Sequence, residues 1–138
     1  MTGSPVLIVE DDGLIAFHLM EMLRGAGYAV EDPFFSAEEA LRRLGRSPRP
    51  GLVILEAGIP GRSPRFLEAR RICSLHKIPL VVLTSFAGYR SERLPGIQRE
   101  IFIVKPFSRQ DILSGIREAT RAGQCITDPG TGVLRSES

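Results

Sequence analysis

Four short apolar runs punctuate the chain, at 6–9 (VLIV), 52–55 (LVIL), 80–84 (LVVLT) and 101–104 (IFIV). Each is rich in β-branched residues and apolar at successive positions, the pattern of a strand covered on both faces. A weaker run at 28–31 reads as a fifth strand. Between the runs lie segments of helical length. Over 14–24, Leu14, Ile15, Leu19, Met22 and Leu23 recur at helical spacing, and Gly25 and Gly27 end the segment. In SAEEALRRLG, Ser36 is followed three residues later by Glu39, a capping-box signature, and Gly45 marks the stop. A third helix is predicted over about 64–75, with Pro64 in its first turn. The last, in FSRQDILSGIREATRAG, has Ser108 as N-cap, Asp111 at the third helical position, apolar Ile112, Leu113 and Ile116, and a stop at Gly123. The stretch 88–99 is the poorest helix, because Pro95 and Gly96 interrupt it. Strands alternating with helices predict a parallel sheet with right-handed crossovers and helices on both faces.

A chain of 138 residues fits one domain with a substantial core. We expect that domain to span 1–123, followed by a turn-rich tail at 124–138 too short to be a second, output domain. A net charge of +2 is too weak for a nucleic-acid surface. The arginines at 42, 43, 46 and 49 read as a solvated helix face. Cys73 and Cys125 have no CxxC spacing, and His18 and His76 complete no zinc pattern and read as surface or helix-end residues. No run approaches the roughly 20 apolar residues that span a bilayer, and the start lacks the charge and length of a signal peptide. The expected setting is therefore the cytoplasm, with no membrane and no direct nucleic-acid partner.

In an open α/β sheet, ligands sit beyond the carboxyl ends of the strands. The first predicted strand ends in Glu10, Asp11 and Asp12; the third in Glu56; the fourth in Thr84 and Ser85; the fifth in Lys105 and Pro106. Clustered carboxylates raise one another's pKa unless a cation lies among them, and a hard ion such as Mg²⁺ suits such a cluster. Thr84 and Lys105 are then placed to hold phosphoryl oxygens on the acid of the third strand. Asp12 reads as a helix N-cap.

Four motifs in order, VLIVEDD, LVILEAGIPG, VVLTS and IVKPF, resemble those of the receiver domain of bacterial two-component response regulators, over about residues 5–122. The resemblance implies a flavodoxin-like, doubly wound, five-stranded parallel (βα)5 sheet of order 2-1-3-4-5. It implies that Glu10, Asp11, Glu56 and the Gly58 carbonyl surround Mg²⁺. Thr84 and Lys105 become the phosphate-sensing pair, Phe102 the aromatic switch, and the bond before Pro106 a cis peptide. It also implies a histidine kinase or phosphotransfer partner near the first helix, where Leu14, Ile15 and His18 follow the acids. A downstream protein or a second copy would bind through residues 88–122.

The departure is Glu56, because the family's phosphoacceptor at this place is an aspartate. The extra methylene carries the carboxylate roughly 1.5 Å further into the pocket, and a misplacement near 1 Å costs about 100-fold in a positioned reaction. Efficient phosphotransfer to Glu56 is not expected. The longer acid is placed instead to lie where phosphoryl oxygens would go, a partial mimic with one charge rather than about two. The expected function is a stand-alone, atypical, non-enzymatic receiver that signals by protein–protein interaction. The alternative is a phosphorelay receiver that takes phosphate slowly on Glu56 or on another residue. A phosphatase of the haloacid-dehalogenase kind lacks its DxD, and a flavin site lacks a Gly-rich loop after the first strand. Plainer alternatives stand beside these roles: solvated loop acids at Glu10 and Asp11, a structural acid tied to Lys105 at Glu56, a strand residue at Thr84, and ordinary core at Phe102.

Overall fold

The computed structural model describes residues 4–58, 64–85 and 100–121. In chain order these form β1 (Val6–Val9), α1 (Gly13–Gly25), α2 (Ala37–Leu44), β2 (Leu52–Gly58), α3 (Pro64–His76), β3 (Leu80–Thr84), β4 (Glu100–Val104) and α4 (Arg109–Ala119). The strands form a parallel sheet in the order β1-β2-β3-β4. Every residue of β1 and β3 is buried, which is why these runs are apolar at each position.

The weak run expected at 28–31 forms no extended strand. Val30 and Phe34 make isolated parallel bridges to Val6 and Val9 on the outer edge of β1. The Glu31 N–H donates to the Val6 carbonyl (3.1 Å) and the Phe34 N–H to that of Ile8 (2.9 Å). Pro33, between them, has no N–H to donate, so the ladder is interrupted. Counting this segment second gives the order 2-1-3-4-5 of a flavodoxin-like sheet.

Alternate residues of each strand feed two cores. Ile8, Ile54, Val81 and Leu83 pack with Leu19 and Leu23 of α1 and Ile112 and Ile116 of α4. Leu7, Val53, Leu55 and Val82 pack on the other face with Leu44 of α2 and Phe66 and Cys73 of α3. At Gly115 of α4 an added Cβ would lie 2.7 Å from Ile103 Cδ1, so this mid-helix glycine permits a close approach to β4.

Local signals set the helix ends. Asp12 caps α1, its Oδ1 accepting from the N–H groups of Leu14 (3.0 Å) and Ile15 (3.3 Å). Ser36 accepts from the Glu39 N–H, and Ser108 and Asp111 form a complete capping box. Helix α4 ends before the predicted Gly123: Thr120 is its C-cap, and its hydroxyl donates to the Ile116 carbonyl at 2.8 Å. The arginine cluster is only partly a solvated face. Arg43 binds Glu31 through Nε (3.0 Å) and Nη2 (2.6 Å), tying α2 to the edge segment, and Arg49 Nε donates to the Leu44 carbonyl at the end of α2 (3.2 Å). The predicted irregular helix at 88–99, which is also the first part of the proposed 88–122 surface, and the tail at 124–138 lie outside the described residues.

Candidate functional site

The carboxyl ends of the strands bring the predicted acids together. Glu10 follows β1 directly, and its side chain is almost wholly buried. Asp11 beside it is exposed, and Glu56 is intermediate. One carboxylate oxygen from each of Glu10, Asp11 and Glu56 lies within 4.8 Å of the others. Glu56 lies within β2 rather than after it, because the strand continues to Gly58 with a shift of register against β3 between Glu56 and Gly58. Such a bulge re-aims side chains at a sheet rim.

Lys105, just after β4, reaches the cluster. Its Nζ is 3.3 Å from Glu10 Oε2 and 3.7 Å from Glu56 Oε2. Its backbone N–H donates to the Thr84 carbonyl at 2.8 Å, which sets the distance between the last two strand ends. Thr84 is buried at the end of β3, opposite Gly58 in the register. The Lys105–Pro106 peptide bond is cis, as is Ser47–Pro48.

Glu10 is held against opposing electrostatic influences. Its Oε1 accepts the Asp12 N–H at 3.2 Å, while Oε2 is buried and accepts no well-angled hydrogen bond from the described residues. Burial pushes its carboxyl above the ordinary range. The Asp12 N–H and the Lys105 ammonium oppose that rise, and the Glu56 charge adds to it. A buried oxygen with spare lone pairs, facing two further carboxylates, suits a hard divalent cation such as Mg²⁺, which takes one or two carboxylates and keeps several waters. Glu10, Asp11 and Glu56 would hold it, and it would neutralise charge and orient phosphoryl oxygens.

The pocket around these acids has a volume of about 430 Å³ and extends toward the start of α2, with Phe35, Leu55, Ala57 and Phe66 in its walls. Phe35 is half exposed and its ring lies 6.3 Å from that of Phe17 on α1. A second groove, of about 590 Å³, is mostly apolar and runs between α1 and the end of β4, lined by Leu14, Ile15, His18, Lys105, Pro106 and Phe107. Leu14 is 81% exposed at its edge, which costs solvation with no gain inside the fold.

Phe102 meets an aromatic partner in the core. Its ring is half-buried in the core under α2 and α3, 6.3 Å from the Phe66 ring and tilted by 58°. Sequence reasoning missed Phe66 as a pocket wall, and it missed a buried ion pair between Arg70 of α3 and Glu100 of β4, with Nε to Oε2 at 2.5 Å. A signal for the pair was present: Arg70 falls on the buried stripe of Phe66, Ala69 and Cys73, where a cation calls for a partner.

No family model matches the sequence. Among curated proteins, the transcriptional regulatory protein PdtaR of Mycobacterium tuberculosis is 36% identical over 123 residues, which cover 88% of this chain and 59% of PdtaR. The structure of the PhyR stress response regulator superposes with a TM-score of 0.66 at 28% identity, over 85% of this chain and 45% of that one. The receiver domain of Erythrobacter litoralis PhyR gives the same TM-score, 0.66, at 22% identity, over 86% and 91% of the two chains, which is a likeness of fold. The chain belongs to the response-regulator receiver domains. This receiver spans about three fifths of the length of PdtaR. Receiver domains are signalling modules. Among the described residues of the receiver, no helix is long and apolar enough to cross a membrane.

Proposed function

We propose that this receiver signals by protein–protein association and that Glu56 sets its state in place of an acyl phosphate. One observation carries the reading: a glutamate carboxylate lies among Glu10, Asp11 and Lys105, with its oxygen 3.7 Å from the lysine ammonium. The ammonium that would bind a phosphoryl oxygen already has an acid beside it. In this reading Glu10, Asp11, Glu56 and the Gly58 carbonyl are the Mg²⁺ ligands when the ion is present, and Thr84 and Lys105 sense what occupies the pocket.

A histidine kinase or phosphotransfer protein would approach along the groove between α1 and Phe107. Its apolar lining and the exposure of Leu14 favour an amphipathic helix laid across it. The output surface would be built on β4, α4 and the chain before them. The setting is two-component signalling in the cytoplasm, and no chemistry of its own is required.

The test is a Mg²⁺ titration by calorimetry on the wild type and on Glu56→Asp, followed by acetyl phosphate and mass measurement. The expected result is phosphorylation of Glu56→Asp and none of the wild type. A stable mass increase on wild-type protein would overturn the reading and favour slow phosphotransfer to Glu56 or to another residue. Equal affinity of wild type and Glu56→Gln for the same partner would remove the role of the carboxylate in setting the state.

A further inference from the structure

We infer that Phe66 is a positioning residue that couples the acid pocket to β4. Its side chain is 1% exposed and borders two features of different kinds. On one side it forms a wall of the pocket that holds Glu10, Asp11 and Glu56. On the other its ring meets that of Phe102, in the middle of β4, at 6.3 Å. The pocket and β4 therefore share one rigid aromatic side chain, and any change of volume or charge that moves this wall is felt by Phe102.

A second contact keeps that link in register. Arg70 lies four residues after Phe66, one turn along α3, and Glu100 lies two residues before Phe102 on β4. One helical turn advances about 5.4 Å and two strand residues about 6.6 Å, so the two contacts stack as parallel rungs between helix and strand. The Arg70–Glu100 rung is buried on both sides, each side chain being 8% exposed. Helix α3 is thus fixed to β4 at one rung by an ion pair, leaving the Phe66–Phe102 rung as the one that borders the pocket. Close-packed interiors pass displacements on rather than absorb them.

The inference rests on reading the acid pocket as the place where the state of the domain is set, and its test perturbs that pocket without any ligand. Ring resonances of Phe102 and the Ala57 amide are recorded by NMR in four proteins: wild type, Glu56→Gln, Phe66→Leu and the double variant. Phe66→Met serves as a second replacement if leucine unfolds the domain. Glu56→Gln is expected to move the Phe102 ring signals in the wild-type background. In the Phe66 variant that displacement falls by roughly half or more, the signature of coupled positions, while the Ala57 amide still responds. Equal displacement in both backgrounds, or a Phe102 ring that ignores Glu56→Gln in the wild type, overturns the coupling. Failure of Mg²⁺ to bind would count against the metal part of the functional reading and leaves this result intact.

Discussion

Lys105 is nearer to Glu10 than to Glu56: its ammonium is 3.3 Å from Glu10 Oε2 and 3.7 Å from Glu56 Oε2. The Glu10 side chain is 1% exposed and that of Lys105 is 23% exposed, so the carboxylate depends on a cation that is itself partly solvated. Removing the ammonium leaves a buried charge facing Glu56 and Asp11. Lys105→Met should cost about 1–3 kcal/mol, below the range for fully buried pairs because water reaches the lysine. Adding Glu10→Gln should recover most of the loss. Urea unfolding of the three proteins measures both effects, and a stable Lys105→Met protein would show that Glu10 does not need the ammonium.

The same carboxyl gives the domain a pH dependence of definite sign. Burial, the largest cause, raises the Glu10 pKa above its ordinary value of 4.5. A carboxyl whose folded pKa exceeds its unfolded one holds its proton more tightly in the fold. Its contribution to stability is full below the unfolded value and is lost as pH rises through the folded one. The stability of wild type relative to Glu10→Gln should therefore fall as pH increases from 4.5 toward neutrality. Mg²⁺ should reduce the fall, since an ion among the acids offsets the ionised form. Parallel stability curves for the two proteins would rule this out.

The four strands and the polar residues at their ends are readable from the chain because burial on both faces forces continuous apolar runs, so the first charged or hydroxyl residue marks the end of each run. The helix starts are readable because Asp12, Ser36 and Ser108 act within three residues of themselves. What could not be read was set by distant partners. The edge segment at 30–34 pairs with β1 only through bridges broken at Pro33. Arg43 looks like one of four surface arginines until Glu31, twelve residues away, is found beside it. Arg70 and Glu100 lie thirty residues apart, and no local pattern joins them. The Phe102 ring likewise meets that of Phe66, which lies far from it in sequence.

Asp11 and Asp12 are adjacent acids with separable roles. Asp12 caps α1 through two backbone N–H groups, whereas Asp11 contributes an oxygen to the acid cluster. Asp12→Ala should lower stability by about 1 kcal/mol, the usual loss on deleting an N-cap acceptor. Asp11→Asn should leave unfolding within about 0.5 kcal/mol of wild type while weakening Mg²⁺ binding. Thermal unfolding paired with calorimetric titration of both variants checks the division. If Asp12→Ala abolishes Mg²⁺ binding without loss of stability, the roles are reversed.

The Arg70–Glu100 pair predicts an asymmetry between single and double replacement. Both side chains are 8% exposed, and burial, with the Glu100 charge adding to it, pushes the nearby Cys73 thiol up to about 12. Arg70→Met removes the guanidinium beside a buried carboxylate and should cost about 2–4 kcal/mol, while Glu100→Met alone leaves a buried arginine and should cost a similar amount. The double replacement puts two apolar side chains of similar length at the α3–β4 contact and should lie within about 1 kcal/mol of wild type, because two desolvated charges gain little over good packing. Chemical denaturation of the four proteins closes the cycle. A double variant as unstable as the sum of the two singles would mean that the rung is held by groups other than this pair, and that the fixed contact between α3 and β4 has another origin.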